Sequence, residues 1–106
     1  RVLRERFGHV STERLASGSP SVTHVARSLG LSRRSLARKL AVEHTSFSAL
    51  LEDTRRELAL KYVGSQDLAL TEIAFLLGFS QTGPFHRAFR RWTGTTPRDY
   101  RRGQRR

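Results

Sequence analysis

Cysteine is absent from the 106 residues. That excludes disulfides and thiolate metal sites and leaves the compartment unconstrained. Acidic side chains are scarce, nine against 20 basic ones, for a formal net charge of +11. Lysine is scarce as well: Lys39 and Lys61 are the two present, and every other basic residue is an arginine. No apolar run approaches the roughly 20 residues of a membrane span, no signal peptide is visible, and no membrane partner is expected. Catalytic signatures are missing too. His9, His24, His44 and His86 lie far apart without metal-ligand spacing. There is no phosphate-cradling glycine loop and no nucleophile elbow. Neither enzymatic activity, nor a cofactor, nor a bound metal is expected. Because the chain starts at Arg1 and not at methionine, it reads as a piece of a longer protein.

What is present is an arginine excess and a repeat. A basic balance of this size points to a polyanionic partner, and arginine suits phosphates and guanine edges better than lysine does. The repeat reads Val22, Ala26, Leu29, Gly30, Ser32, Leu36, Arg38, Leu40 and then Leu70, Ala74, Leu77, Gly78, Ser80, Phe85, Arg87, Phe89. The offset is 48 positions up to Ser80 and 49 after it, so the second copy holds one extra residue. Self-similarity of this kind means two related units. A short helix, a glycine-containing turn and a second helix form a helix-turn-helix, the unit of a DNA reader.

No useful strand-like alternation occurs, so the expected fold is all-α. Val2, Leu3, Phe7, Val10 and Leu15 make a loose helical stripe that braces the first unit, broken by Gly18-Ser19-Pro20. Ser21 is placed to cap a helix to about Leu29, burying Val22, Val25, Ala26 and Leu29. Gly30 supplies the turn at positive φ, and Ser32 caps a helix to about Val42. Ser46 starts a longer helix carrying Phe47, Leu50, Leu51, Thr54, Leu58 and Tyr62, and Gly64 stops it. From 47 to 63 that is about 25 Å of rod. Thr71 is expected to cap the next helix, whose Ile73, Ala74, Phe75, Leu76 and Leu77 are apolar nearly all round and should make it the more buried one. Gly78 turns the chain. Proline at 84 is tolerated only within a first turn, so the second reading helix begins after Ser80, with Gln81 and Thr82 in the turn, and continues to about Trp92. Gly94 ends it, and Thr96-Pro97 opens a last short helix.

A step of about 100° per residue assigns faces within each second helix. Opposite Leu36 and Leu40 lie Arg34 and Arg38, flanked by Ser35. Opposite Phe85, Phe89 and Trp92 lie Gly83, Arg87 and Arg90, flanked by His86 and Arg91. Both helices thus set an apolar stripe against an arginine stripe, and arginine can bond guanine O6 and N7 in a bidentate fashion. Arg98, Arg101, Arg102, Arg105 and Arg106 form a basic tail suited to nonspecific phosphate attraction. Glu52, Asp53 and Glu57 make an acidic, solvated face on the long helix, pointed away from DNA.

The stretch IAFLLGFSQTGPFHRAFRRWTGTTPRDYR, from Ile73 to Arg101, resembles the C-terminal signature of the AraC/XylS family of bacterial transcription regulators. The resemblance rests on Gly78-Phe79, Phe85, Arg87, Phe89, Trp92-Thr93-Gly94, Pro97 and Tyr100-Arg101. Upstream, Val22 to Tyr62 is similar to that family's first reader and connecting helix, including Phe47-Ser48-Ala49-Leu50-Leu51 and Arg55. The likeness covers about residues 20 to 102. It implies two helix-turn-helix subdomains joined by a long connecting helix: 1–45 with a recognition helix at about 32–42, 46–64 as the connecting helix, and 65–106 with a recognition helix at about 81–92 and the basic tail.

The implied function is sequence-specific binding of double-stranded DNA and activation of bacterial transcription, with the two recognition helices in successive major-groove segments. The DNA-binding residues are Arg33, Arg34, Ser35 and Arg38 in the first unit and Gln81, Thr82, His86, Arg87 and Arg90 in the second. Where the family offers a side chain to DNA at position 83 this chain has glycine, which leaves base reading in the second unit to Arg87. RNA polymerase is the implied protein partner. An effector ligand would act only through a missing N-terminal domain, and this fragment is expected to be a cytoplasmic monomer. The alternative is a nonspecific or architectural nucleic-acid-binding protein, for which charge suffices. A protein-interaction module using the long helix would instead require exposed Phe47, Leu51 and Tyr62.

Overall fold

The computed structural model describes residues 2–15 and 21–104. The Gly18-Ser19-Pro20 breaker and Arg105 and Arg106 of the tail lie outside the described residues, as does the side chain of Val2. Among those described there are seven helices and no strand: α1 (Val2–Arg14), α2 (Val22–Ser28), α3 (Arg33–Val42), α4 (Phe47–Ser65), α5 (Leu70–Leu76), α6 (Thr82–Thr93) and α7 (Pro97–Gln104). The chain divides into two compact units, Arg1–Thr54 and Arg55–Arg106, and the division falls inside α4.

In the first unit, serine hydroxyls start three helices. Ser21 Oγ accepts the His24 N–H at 3.0 Å, Ser32 Oγ that of Ser35 at 3.1 Å, and Ser46 Oγ that of Ala49 at 3.2 Å. Each satisfies a backbone donor with no partner inside its helix, worth about 1 kcal/mol apiece. Between α2 and α3 the chain turns at Gly30, φ 73°. There Gly30 N–H bonds the Arg27 carbonyl at 3.0 Å and Leu31 N–H the Ala26 carbonyl at 2.8 Å, a Schellman closure. Val25, Ala26, Leu29, Leu36 and Leu40 are buried, as are Phe7 and Leu15 of the N-terminal segment and Leu50 and Leu51 of α4. The Phe7 ring meets Phe47 edge-to-face at 5.4 Å, while Leu3, Val10 and Val22 are half-buried.

The second unit repeats the plan. Gly78, φ 91°, turns the chain between α5 and α6. Its N–H bonds the Phe75 carbonyl and that of Phe79 the Ala74 carbonyl, both at 3.0 Å. Ala59, Val63, Ile73, Ala74, Leu77, Phe85, Ala88 and Phe89 are buried. The Phe89 ring contacts Phe85 at 6.0 Å and Tyr100 of α7 at 5.5 Å. Gly94, φ 80°, ends α6, and Thr96 Oγ1 accepts the Asp99 N–H at 3.1 Å to start α7.

Four local expectations change. Gly64 does not stop α4, which runs to Ser65. The reversal comes at Gln66, φ 66°. Thr71 is not a cap: α5 begins at Leu70 after Ala69, and the Glu72 carboxylate accepts the Ala69 N–H at 3.2 Å. A carboxylate reaching back from the third helical position satisfies the donor that a hydroxyl would have served. Nor is α5 the more buried helix. Ile73 and Ala74 are buried, but Phe75 is 56% and Leu76 39% exposed, because a seven-residue helix turns only one side to its unit. Along α4 the buried row shifts by one residue, from Leu51 to Ala59 and Val63, leaving Leu58 and Tyr62 half-buried.

The basic tail also differs from expectation. Through Gln104 it is helical, and Arg101 is half-buried with Nε donating to the Val63 carbonyl at 2.9 Å and Nη2 to that of Tyr62 at 3.4 Å. The last carbonyls of a helix have no partner within it and carry the negative end of its dipole, so a guanidinium is well placed there.

Candidate nucleic-acid interface

The second helix of each unit is built to show arginine. In the first unit, α3 buries Leu36 and Leu40 and leaves Arg33, Arg34 and Arg38 exposed, with Ser35 half-buried. The Ser32 cap holds the first turn of α3 in place, so Arg33 and Arg34 leave from a fixed backbone. Beside that turn lies an open depression of about 400 Å³ lined by Thr23, Arg27, Gly30, Ser32 and Arg33, among others. Two guanidinium groups on the rim of a shallow concavity at a helix N-terminus make a fitting seat for an anion. Thr23 and Arg27 were missed by reading α3 alone. Their four-residue spacing on α2, which puts both on one face of that helix, is the signal that finds them.

In the second unit α6 starts one residue later than its counterpart pattern, and the extra residue is absorbed before the helix. Gln81 occupies the cap position, exposed and without a side-chain cap bond. Thr82, expected in the turn, is instead the first helical residue and is half-buried. Pro84 is third, where no intrahelical N–H is required. Phe85, Ala88 and Phe89 are buried, Arg87 and Arg90 exposed, and His86 half-buried with its ring 5.8 Å from that of Phe85. Arg87 Nη1 lies 3.5 Å from where a Cβ on Gly83 would stand, so its guanidinium rests over the first turn.

Within each unit the expected arginines are exposed, and Arg34 and Arg38 on α3 and Arg87 on α6 lie on the side opposite Leu36 and Phe85. Among the described residues no group of His, Cys, Asp or Glu could hold a metal ion, and no helix is long and apolar enough to cross a membrane. Asp53 and Glu57 are exposed on α4. Leu51 is buried and Phe47 and Tyr62 are half-buried, which removes the apolar stripe that a protein-interaction module on this helix would need.

Comparison with known proteins decides between these classes. Residues 25–103 match the helix-turn-helix domain family. The chain belongs to the AraC-type helix-turn-helix family. It is 48% identical over 82 residues to the ornithine utilization regulator of Pseudomonas aeruginosa, covering 77% of this chain and 24% of that protein. It is 38% identical over 99 residues to the HTH-type transcriptional regulator VirS of Mycobacterium tuberculosis, covering 93% and 29%. Among solved structures, a DNA-binding transcriptional dual regulator from Escherichia coli K-12 is similar with TM-score 0.86 and 27% identity, over 97% of this chain and 92% of that one. The chain spans about a quarter of the length of the curated relatives it matches. As an AraC-type domain it is a DNA-binding module of the kind these regulators carry.

Proposed function

We propose that this domain binds double-stranded DNA sequence-specifically, through α3 and α6 in successive major-groove segments, and activates bacterial transcription in the cytoplasm. The observation that carries this is the recurrence, in both units, of an arginine row opposite a buried apolar row directly after a glycine-closed turn. In this reading Arg34, Arg38 and Arg87 address base edges, where a bidentate contact to guanine discriminates by about 1–3 kcal/mol. Arg33, Ser35, Gln81, Thr82, His86 and Arg90 hold the backbone and groove walls, joined by Thr23 and Arg27 at the depression beside α3. Phosphate contacts of that kind set position and orientation, whereas base contacts set sequence. The bound fragment is monomeric, RNA polymerase is the protein partner of the whole regulator, and an effector acts through a further domain.

A second reading, nonspecific or architectural binding, is favoured by the +11 charge alone. Affinity for a selected site and for random duplex of equal length, measured across a salt series, separates the two. Each neutralised phosphate adds roughly 0.9 to the log–log salt slope for either kind of binding. Sequence-specific reading predicts a selected-to-random ratio of at least about a thousand at fixed salt. A ratio near one supports the architectural reading, and a flat salt response contradicts both.

A further inference from the structure

Helix α1 reaches both ends of the first reader. Arg4 Nε donates to Glu43 Oε1 at 3.2 Å, and Glu43 is the residue that ends α3. Arg6 Nη2 donates to the Leu29 carbonyl at 3.5 Å, and Leu29 ends α2 just before the Gly30 turn that leads into α3. Next to these arginines stands Phe7, fully buried, with its ring 5.4 Å from that of Phe47 at the start of α4. A step of about 100° per residue puts Arg4 and Arg6 on opposite flanks of Phe7. One ring thus seats α1, and one arginine on each side ties it to the segment before α3 and to the residue after it. What α3 supplies by itself is less. Its buried residues are Leu36 and Leu40, one turn apart on a single stripe. Two anchors on one stripe fix how deep a helix sits but leave it free to roll about that line. Reading a base edge needs tighter control, within about 10–20° of the productive geometry.

We propose that Arg4 and Arg6 are positioning residues of the first reader: through Glu43 and the Leu29 carbonyl they fix the roll of α3, so its base reading depends on α1 being seated. This rests on the reading of α3 as a DNA-reading helix. Coupling of this kind is reciprocal, so DNA on the first box holds α1 more tightly in return. Glu43 gives the sharpest contrast. Removing an acidic group from a chain of net charge +11 favours a polyanion by electrostatics alone. Because Glu43 holds Arg4, losing its carboxylate weakens first-box binding instead. The effect is modest for one contact, since the ion pair is partly exposed, 45% at Arg4 and 28% at Glu43.

The test compares Glu43→Gln, Arg4→Met, Arg6→Met, Arg4→Met/Arg6→Met and the exchanged pair Arg4→Glu/Glu43→Arg in the intact 106-residue chain. Circular dichroism melting establishes that each is folded at the binding temperature. The DNA is a set of single-box duplexes, the first box being the one whose selection Arg38→Ala abolishes, with random duplex of equal length. The quantity read is the ratio of box affinity to random affinity at fixed salt, which cancels the general charge term. Each single variant lowers the first-box ratio about twofold to fivefold, the scale of a partly exposed ion pair. The double arginine variant lowers it about tenfold or more. The second-box ratio stays as it was, and the exchanged pair recovers the first-box ratio. Adding first-box DNA slows amide hydrogen exchange in wild-type α1, and does so less in the double variant. An unchanged or higher first-box ratio for Glu43→Gln overturns the inference. So does an equal loss on both boxes and random DNA, which would make the arginines phosphate contacts. If the wild type selects no sequence, the DNA-reading role of α3 fails and takes this inference with it. If the wild type selects two boxes and every variant keeps both ratios, the inference alone fails.

Discussion

Arg55 Nε donates to the Leu77 carbonyl at 3.0 Å, and its guanidinium carbon stands 5.7 Å from the centre of the Phe79 ring. Leu77 and Phe79 flank Gly78, so one side chain of α4 grips the turn that orients α6. The first unit repeats the device at longer range: Arg6 Nη2 of α1 lies 3.5 Å from the Leu29 carbonyl, just before Gly30. In both turns the arginine takes the carbonyl just before the glycine, which neither Schellman bond uses.

Replacing Arg55 therefore acts on stability before it acts on DNA. Arg55→Met keeps much of the aliphatic packing but removes the charged donor and the cation over Phe79. A loss of about 1.5–3 kcal/mol is expected, the scale of a charged hydrogen bond with a modest cation–π addition. Denaturant unfolding measures it. Arg55→Lys should recover only part, since lysine lacks the planar fork that serves both contacts.

Truncating the two cores should show which residues hold each unit. Leu36 and Phe85 are fully buried. Leu36→Ala is expected to cost about 2–5 kcal/mol and Phe85→Ala about 3–5 kcal/mol. Amide hydrogen exchange should show protection lost first in α2 and α3 for the former and in α5 and α6 for the latter.

Ser11 offers the opposite sign. Its hydroxyl is fully buried and has no hydrogen-bond partner among the described residues. An unsatisfied buried hydroxyl costs about 1–3 kcal/mol. Ser11→Ala should raise the denaturant midpoint with an unchanged slope, and an unchanged or lower midpoint would contradict this account of the α1 packing.

Much of this architecture was legible in the residues. Gly30 and Gly78 announced two turns, Ser21, Ser32 and Ser46 announced three helix starts, and Leu36/Leu40 and Phe85/Phe89 marked the buried side of α3 and α6. These are local signals, with cause and effect inside one turn of helix. The fates of Arg6, Arg55 and Arg101 were not legible, since in a chain this rich in arginine the residues that hold carbonyls look like those that face outward. Which carbonyl an arginine reaches depends on tertiary packing. Apolar content misled at α5 for a related reason: hydrophobicity marked Phe75 and Leu76 as core, yet a short helix has one side to bury. Thr71 yielded to Glu72 because two residues could serve the same N–H and the start of the helix decided between them.

The continuity of α4 carries a prediction about coupling. It is one helix from Phe47 to Ser65. A residue inserted between Thr54 and Arg55 turns everything after it by about 100° relative to what precedes it. Placed there, the insertion leaves Leu50 and Leu51 with the first unit and Arg55, Ala59 and Val63 with the second. Each box should still be bound alone, while the gain from binding both together disappears. Footprinting on a two-box site reads this directly, and unchanged protection of both boxes would mean that α4 does not couple the readers.

The most direct test is selection of bound sequences from random duplex DNA at fixed salt, by the wild-type chain, Arg38→Ala and Arg87→Ala. The account predicts that the wild type enriches two unlike boxes about 10–10.5 base pairs apart. Each variant should lose the preference at one box, a different one for each arginine, and keep the other. No enriched sequence, or a uniform loss of affinity for all DNA in both variants, would contradict it.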